Sequence, residues 1–345
     1  MDLSIAGILT LDGLTNGAIY ALLGVGIVLV FTVTRIIFIP QGEFVAYGAL
    51  TLAIFQTGEV PGTVWLLLIL AVVAALMELV STWRHRGRIA PALKAAAGVL
   101  ALPAVVCAVS VWAAPRNPPL AVQALLALAI VTAHGPLVYR VAYQSLAGAS
   151  SLVLLIVSVG VHFAMTGLGL LLFGAEGFRN RPFWDERWSI STLNISGQTI
   201  IIFMASAALI VMLRLYFERA LYGKALRATA VNRLGARLMG ISTQAAGQIT
   251  FAIAALIGGL SGLLIGPTTT IFYDSGFLIG LKGFVVGVIA GLASYPGALA
   301  GALGVGVIES FGAFWASPFK EVIVFTIVLP VLLWRSLGSH SSEEH

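Results

Sequence analysis

Three features of the amino-acid sequence assign it to the all-α polytopic integral membrane proteins. Hydrophobic residues make up 59% of its 345 positions and charged residues only 10%, whereas soluble globular domains carry about 25% charged residues. Apolar runs follow one another almost end to end, and many approach the roughly 20 residues that a helix needs to cross a hydrocarbon core of about 30 Å. The polar stretches between them are too short to fold as an appended soluble domain. The chain therefore reads as one transmembrane domain over residues 1–345, with a mean hydropathy of +1.02.

Dividing the runs at Gly, Pro and charge clusters predicts spans near 12–34, 44–56, 63–81, 94–113, 119–139, 151–174, 198–216, 247–266, 276–293, 297–316 and 320–335. The expectation is thus a bundle of about 10–11 transmembrane helices. Asp2 and Asp12 precede the first basic residue, Arg35, so the first run lacks the basic n-region of a secretory signal and is expected to be retained as a span. The long polar stretches are 175–197, 217–246 and the tail 336–345.

Charge then sets the orientation. If the N-terminus is outside, inner loops hold Arg35, Arg84, Arg86, Arg88, Lys94, Arg140, the six basic residues from Arg214 to Arg237, and Arg335, which is 13 of the 19. Outer loops would hold Arg116, Arg179, Arg181, Arg187 and Lys320. The positive-inside rule accordingly predicts an N-terminus outside and a cytoplasmic C-terminus, with 175–197 a periplasmic loop anchored by Trp184 and Trp188. Read this way, the net charge of +5 reflects topology and not nucleic-acid binding, for which no basic polar domain exists. A single cysteine, Cys107, excludes an intrachain disulfide and a multi-cysteine metal site. His134 and His162 lie in apolar runs without metal-ligand spacing and read as packed polar residues.

The strongest local signal is the basic stretch from Phe217 to Gln248, too polar to span. Arg227, Arg233 and Arg237, interleaved with Ala228, Ala230, Ala236 and Met239, can form one or two short amphipathic helices that Gly240 can end. Such a segment is either an ordinary positive-inside loop or a docking helix for a cytoplasmic partner.

Arg227 to Gly262, RATAVNRLGARLMGISTQAAGQITFAIAALIGGLSG, resembles the coupling region and following helix of branched-chain amino acid ABC transporter permeases. Gly13 to Gly48 resembles that family's first span and the segment after it, and Gly280 to Glu309 its Gly-rich C-terminal part. A weaker likeness covers Tyr139 to Gly174. The chain departs from the family pattern at Phe38, Pro40 and Gln41, and again at Leu234 and Gly235, and the region from about Trp65 to Ala133 is longer than expected.

The resemblance implies a bacterial inner-membrane importer in which two permease chains, identical or homologous, stand over two cytoplasmic ABC ATPase subunits and receive solute from an extracytoplasmic binding protein. It implies that Arg227, Ala228, Arg233, Ala236, Arg237, Gly240 and Ile241, within a cytoplasmic coupling segment 217–246, meet the ATPase. ATP and Mg would then sit on the partner subunits, with no cofactor on this chain. In agreement, the sequence has no GxxxxGK[ST] phosphate loop; Gly223-Lys224 lacks both the preceding glycine and the following hydroxyl residue.

Glycines at four-residue spacing (Gly13 and Gly17; Gly258, Gly262 and Gly266; Gly287 and Gly291; Gly297 and Gly301) predict close helix packing, within a tight C-terminal bundle or at an interface with the second permease. Pro40-Gln41-Gly42 and Tyr295-Pro296-Gly297 each precede a run of small residues. They read as inner turns or as broken helices beside the translocation path, which would place Gln41, Gly42, Pro296 and Gly297 there. Asn16 and Tyr20 share a face of the first span and are further candidates for that path, or for hydrogen-bonded packing. Lys282 and Glu309 are ionisable residues within apolar runs, each too costly to bury alone, and an intramembrane ion pair between them is preferred over a proton relay.

The reading is therefore a permease that moves a branched-chain amino acid or similar small solute into the cytoplasm. An ion-gradient-driven secondary transporter is the alternative; it would need intramembrane acids, for which Glu309 and Glu78 are the candidates. No paired acids or Ser/His arrangement at usable spacing supports an enzyme.

Overall fold

The computed structural model describes residues 3–86, 89–190, 193–292 and 294–333. Arg88, Arg335, the expected tail 336–345 and the last two residues of the expected span 320–335 lie outside the described residues. In chain order the helices are α1 (Leu3–Thr34), α2 (Glu43–Gln56), α3 (Gly62–Arg86), α4 (Ile89–Ala113), α5 (Leu120–Val138), α6 (Ser151–Phe173), α7 (Gly197–Arg219), α8 (Leu221–Val231), α9 (Arg233–Leu238), α10 (Thr243–Ile265), α11 (Ser275–Ile289), α12 (Tyr295–Trp315) and α13 (Lys320–Thr326). The expected loop 175–197 contains an antiparallel hairpin of β1 (Arg187–Ile190) and β2 (Leu193–Ser196), where Trp184 and Trp188 meet edge to face at 4.8 Å.

Eight of these helices, α1, α3 to α7, α10 and α12, are long and apolar enough to cross a membrane, which makes the chain a multi-pass membrane protein. At three of the expected spans the helices are shorter than those eight. Helix α2 has 14 residues and α11 has 15, so at about 1.5 Å per residue each reaches only some 21–23 Å. Helix α13 has 7 residues and is followed by a turn at Ile327 and six more helical residues.

The chain ahead of α2, residues 35–42, is largely non-helical and ends in the 3-10 turn Ile39–Gly42. Pro40 accounts for the break: it offers no backbone N–H and restrains the residue before it to extended geometry. The chain ahead of α11, residues 266–274, is likewise irregular, with Pro267 just past the end of α10. Hydropathy alone could not separate these half-helical segments from full spans, because both halves are apolar.

The centre of the bundle is α1 and α10. In the most apolar stretch of α1, 89% of residues are buried inside the chain, against 22% in α4 and in α7. Exposed Ile69, Leu76, Leu102, Phe163, Leu171 and Met204 on α3, α4, α6 and α7 make the outer surface apolar, as lipid requires. Cys107 is packed inward, its Sγ 3.3 Å from the Val64 carbonyl of α3.

Small residues let the central backbones touch. A Cβ at Gly306 of α12 would fall 2.2 Å from the Gly13 carbonyl and 2.5 Å from the Gly17 nitrogen of α1, and one at Gly262 of α10 would fall 2.1 Å from the Val45 carbonyl of α2. The space beside Gly13, Gly17, Gly258 and Gly262 is thus filled by this chain's own helices, and the expectation that such glycines serve an interface with a second permease is not met at these four. Gly304, two residues before Gly306, faces open space.

That contrast is testable on one helix. Gly306→Ala is expected to cost about 1–3 kcal/mol through overpacking, seen as a lower midpoint of thermal unfolding of the purified chain, while Gly304→Ala should leave the midpoint within about a degree.

Candidate functional site

Polar residues of α1, α11, α12 and α13 converge on the side that carries the N-terminus of α1, the C-terminus of α12 and the β-hairpin. There a cavity of about 1080 Å³ opens between α1, α11, α12, α13 and the 179–187, 196–199 and 265–272 segments. Its walls include Asn16 and Tyr20 from α1, one face of α11 (Ser275, Leu278, Ile279, Lys282) and Glu309 from α12. The lining holds four acids (Asp12, Asp185, Glu309, Glu321) and four bases (Arg179, Arg187, Lys282, Lys320).

Burial and charge are reconciled at its floor. Lys282 and Glu309 are each 6% exposed, and Lys282 Nζ donates to Glu309 Oε1 at 2.5 Å and to Glu321 Oε1 at 3.1 Å. The Tyr20 hydroxyl donates to the other Glu309 oxygen at 2.6 Å, and the ammonium lies 5.7 Å from the centre of the Tyr20 ring. The structure therefore brings Tyr20, Lys282 and Glu309 together and adds Glu321. The sequence offered no way to choose Glu321 as a partner, because it stands on a separate short helix.

The other expected path residues are elsewhere. Gln41 and Gly42 are buried outside this cavity. Gln41 Nε2 donates to the Ala254 carbonyl of α10 at 2.9 Å, and a Cβ on Gly42 would fall 1.9 Å from the Gly276 carbonyl of α11. Pro296 and Gly297 form the first turn of α12, at the end remote from the cavity, where Ser294 Oγ accepts from the Gly297 N–H. The Pro-Gly pattern marked a chain break correctly but carried no information about which way the break faces.

A second feature lies on the opposite side, in the basic stretch. Asn232 caps α9 by accepting from the Gly235 N–H at 2.9 Å. Gly240, at φ +83, ends it: the Ile241 N–H returns to the Ala236 carbonyl and the Gly240 N–H to that of Arg237, a Schellman closure that favours glycine. Between α8 and α9 opens a groove of about 460 Å³ whose walls include Arg227, Ala228, Val231, Ala236, Met239 and Ile241. Val231, Leu238 and Met239 are more than three-quarters exposed, an apolar surface at an aqueous boundary. Arg233 and Arg237 do not line the groove. Arg233 is turned back onto the chain, donating to the Ala147 carbonyl of the α5–α6 turn at 3.0 Å.

Sequence reasoning missed Glu43. It named Glu309 and Glu78 as the intramembrane acids; Glu78 is half-buried beside Arg140 at 3.6 Å, but Glu43 is 1% exposed. Glu43 Oε1 lies 2.9 Å from His162 Nδ1, so His162 is an acid's partner and not merely a packed residue. His134 is packed, with Nδ1 2.8 Å from the Ile130 carbonyl. An acid three residues after the only proline between the first two runs was a usable signal for Glu43.

Comparison with known proteins gives a consistent picture. A family model described as branched-chain amino acid transport system / permease component matches residues 95–333. The chain is 31% identical over 231 residues to the high-affinity branched-chain amino acid transport system permease protein BraD of Pseudomonas aeruginosa, covering 64% of this chain and 75% of that protein. It is 27% identical over 219 residues to the permease protein LivH of Salmonella typhimurium and 26% identical to LivH of Escherichia coli K12, in each case covering 61% of this chain and 71% of the relative. No solved structure matches the chain.

The buried charges make a direct prediction. Lys282→Met leaves Glu309 uncompensated and should destabilise the chain by about 3–5 kcal/mol. Lys282→Met with Glu309→Met should recover most of that loss; thermal unfolding of the three purified proteins in one detergent measures it.

Proposed function

We infer the role of this chain from one premise: it belongs to the branched-chain amino acid transport system permease family. It is a membrane-embedded transport permease component and not an enzyme. Beyond that, we propose that it lies in a bacterial inner membrane with the cavity on the extracytoplasmic side and the α8–α9 groove in the cytoplasm, the N-terminus outside and the C-terminus inside. Its cargo is a branched-chain amino acid or a similar small solute.

The observation that carries the reading is the groove. An exposed apolar trough on a capped pair of short helices, in a chain without a phosphate loop, suits a docking surface for an ATPase subunit that holds ATP and Mg itself. Within the segment 217–246, Arg227, Ala228, Ala236 and Ile241 touch the partner, Gly240 shapes the turn, and Arg237 supplies charge at the rim. Arg233 acts differently, tying the docking helices to the α5–α6 turn so that movement of the groove reaches the bundle.

The cavity supports the cargo assignment. Equal numbers of acidic and basic groups beside apolar walls favour a dipolar solute over one with a net charge. A solute-binding protein delivers to this opening, and a second permease chain, identical or homologous, completes the path. Closure of the ATPase pair on ATP then shifts the equilibrium between outward- and inward-open arrangements.

Coexpression with the cognate ATPase tests the groove. Val231→Glu with Met239→Glu should abolish copurification of the ATPase and lower ATP-dependent uptake of leucine by at least tenfold, while the chain still inserts and unfolds at its normal temperature. Arg233→Glu should retain the ATPase yet lose uptake. An ATPase that binds the double variant as well as the parent would refute the docking assignment, and a parent that transports on an imposed ion gradient without an ATPase would favour the secondary-transporter alternative.

A further inference from the structure

Helix α11 presents different faces to different neighbours. Ser275, Leu278, Ile279 and Lys282, spaced as one helical face, line the cavity. Gly276 and Gly280 turn instead to Gly42, against whose backbone their own is pressed: a Cβ on Gly280 would fall 2.8 Å from the Gly42 Cα and nitrogen. Phe277 packs on the His162 ring with centroids 4.8 Å apart. The first turn of α11 therefore touches the solute cavity on one side and the Glu43–His162 pair on the other.

Glu43 sits at the start of α2, against the first turn of α11. A Cβ on Gly276 would lie 2.9 Å from Glu43 Oε2 and 2.7 Å from the Gly42 carbonyl. Oε2 is buried without a hydrogen-bond partner. Thr166 is near enough to offer a hydroxyl, but that hydroxyl bonds the His162 carbonyl at 3.0 Å. The titratable groups around Glu43 are His162 from α6, Asp274 at the start of α11 and Tyr47 from α2. Tyr47 donates to the Met165 carbonyl at 2.7 Å and not to Glu43. Among the described residues the ion-pair partner of Glu43 is His162, with no Lys or Arg beside it.

A buried carboxylate with one orphan oxygen and a second acid nearby is an expensive arrangement. A neutral acid removes the difficulty: its Oε1–H donates to His162 Nδ1 at the observed 2.9 Å, and Oε2 becomes the less demanding carbonyl oxygen. We propose that Glu43 and His162 form a proton-binding site at the α2–α11 junction, loaded while the junction is closed and emptied to water when α11 moves during transport. One proton leaves Glu43 on opening and one returns on closing; no bond other than O–H is made or broken. The coupling to transport rests on the permease reading above, whereas the proton site itself does not.

Infrared spectroscopy of the full chain in lipid reads the site directly. The closed resting protein should show a carboxylic-acid carbonyl band near neutral pH that is lost in Glu43→Gln and displaced in His162→Gln, where the hydrogen-bond partner changes. A wild-type spectrum without such a band, or a band unaltered in Glu43→Gln, overturns the proposal. Should Glu43→Gln fail to fold, an unmoved band in His162→Gln overturns it equally. With the ATPase assembled and L-leucine, binding protein and Mg-ATP added, the band should weaken; constancy through a working cycle refutes the coupling alone. Absence of any copurifying ATPase would sink the importer reading while leaving the band to judge the proton site.

Discussion

Lipid offers no hydrogen bonds, so a chain that interrupts its helices partway through the bundle must satisfy or hide every exposed backbone group within itself. This chain does so twice, ahead of α2 and ahead of α11, and much of the architecture answers that demand. The end of the first interruption is placed against the first turns of α11 at Gly42, Gly276 and Gly280, where the absence of side chains lets the backbones approach closely. The junction is then enclosed: α1 and α10, the most buried long helices, flank it, and Gln41 ties it to the Ala254 carbonyl of α10. The peripheral helices α3, α4, α6 and α7 insulate it from lipid and present apolar side chains outward.

How much of this was legible in the sequence depended on whether a signal fixed a partner or only a need. Lys282 and Glu309 were legible as a pair because two ionisable groups in apolar runs each demand compensation and few candidates exist to supply it. Glu43 was not, because it stands beside a chain break, where an acid is ordinarily solvated. The glycine repeats announced close packing, but four-residue spacing specifies a face and not what covers it; Gly258 and Gly262 meet α2 of the same chain. Hydropathy did not separate short helices from long ones where apolar character continued through a chain break, since it measures the surroundings and not the hydrogen-bonding pattern.

The basic stretch shows the complementary case. Its turn was readable from Gly240, whose backbone role is local; the Asn232 cap emerges only from the structure. The roles of its arginines were not readable either. Equal in charge and close together in the chain, Arg227, Arg233 and Arg237 end up in a groove wall, in a bond to the Ala147 carbonyl, and in solvent. Only the tertiary fold of the α5–α6 turn distinguishes them.

Helix α11 joins these features in one mechanical element. It is too short to be anchored at both membrane boundaries, its first turns meet Gly42 through glycine backbone on one face while Phe277 packs on the His162 ring on another, and its Lys282 is clamped to acids on α12 and α13. A helix gripped firmly at one point and packed against a smooth glycine surface at another can pivot at low cost, because sliding over glycine breaks no side-chain interdigitation. On that smooth face the glycine contacts do not fix a position, and two polar contacts bear on the helix from either side: the ion cluster facing the cavity and the Glu43–His162 pair behind it. A solute that competes for the first and a proton that occupies the second would act on one helix from opposite faces, so that neither could be exchanged without altering the energy of the other.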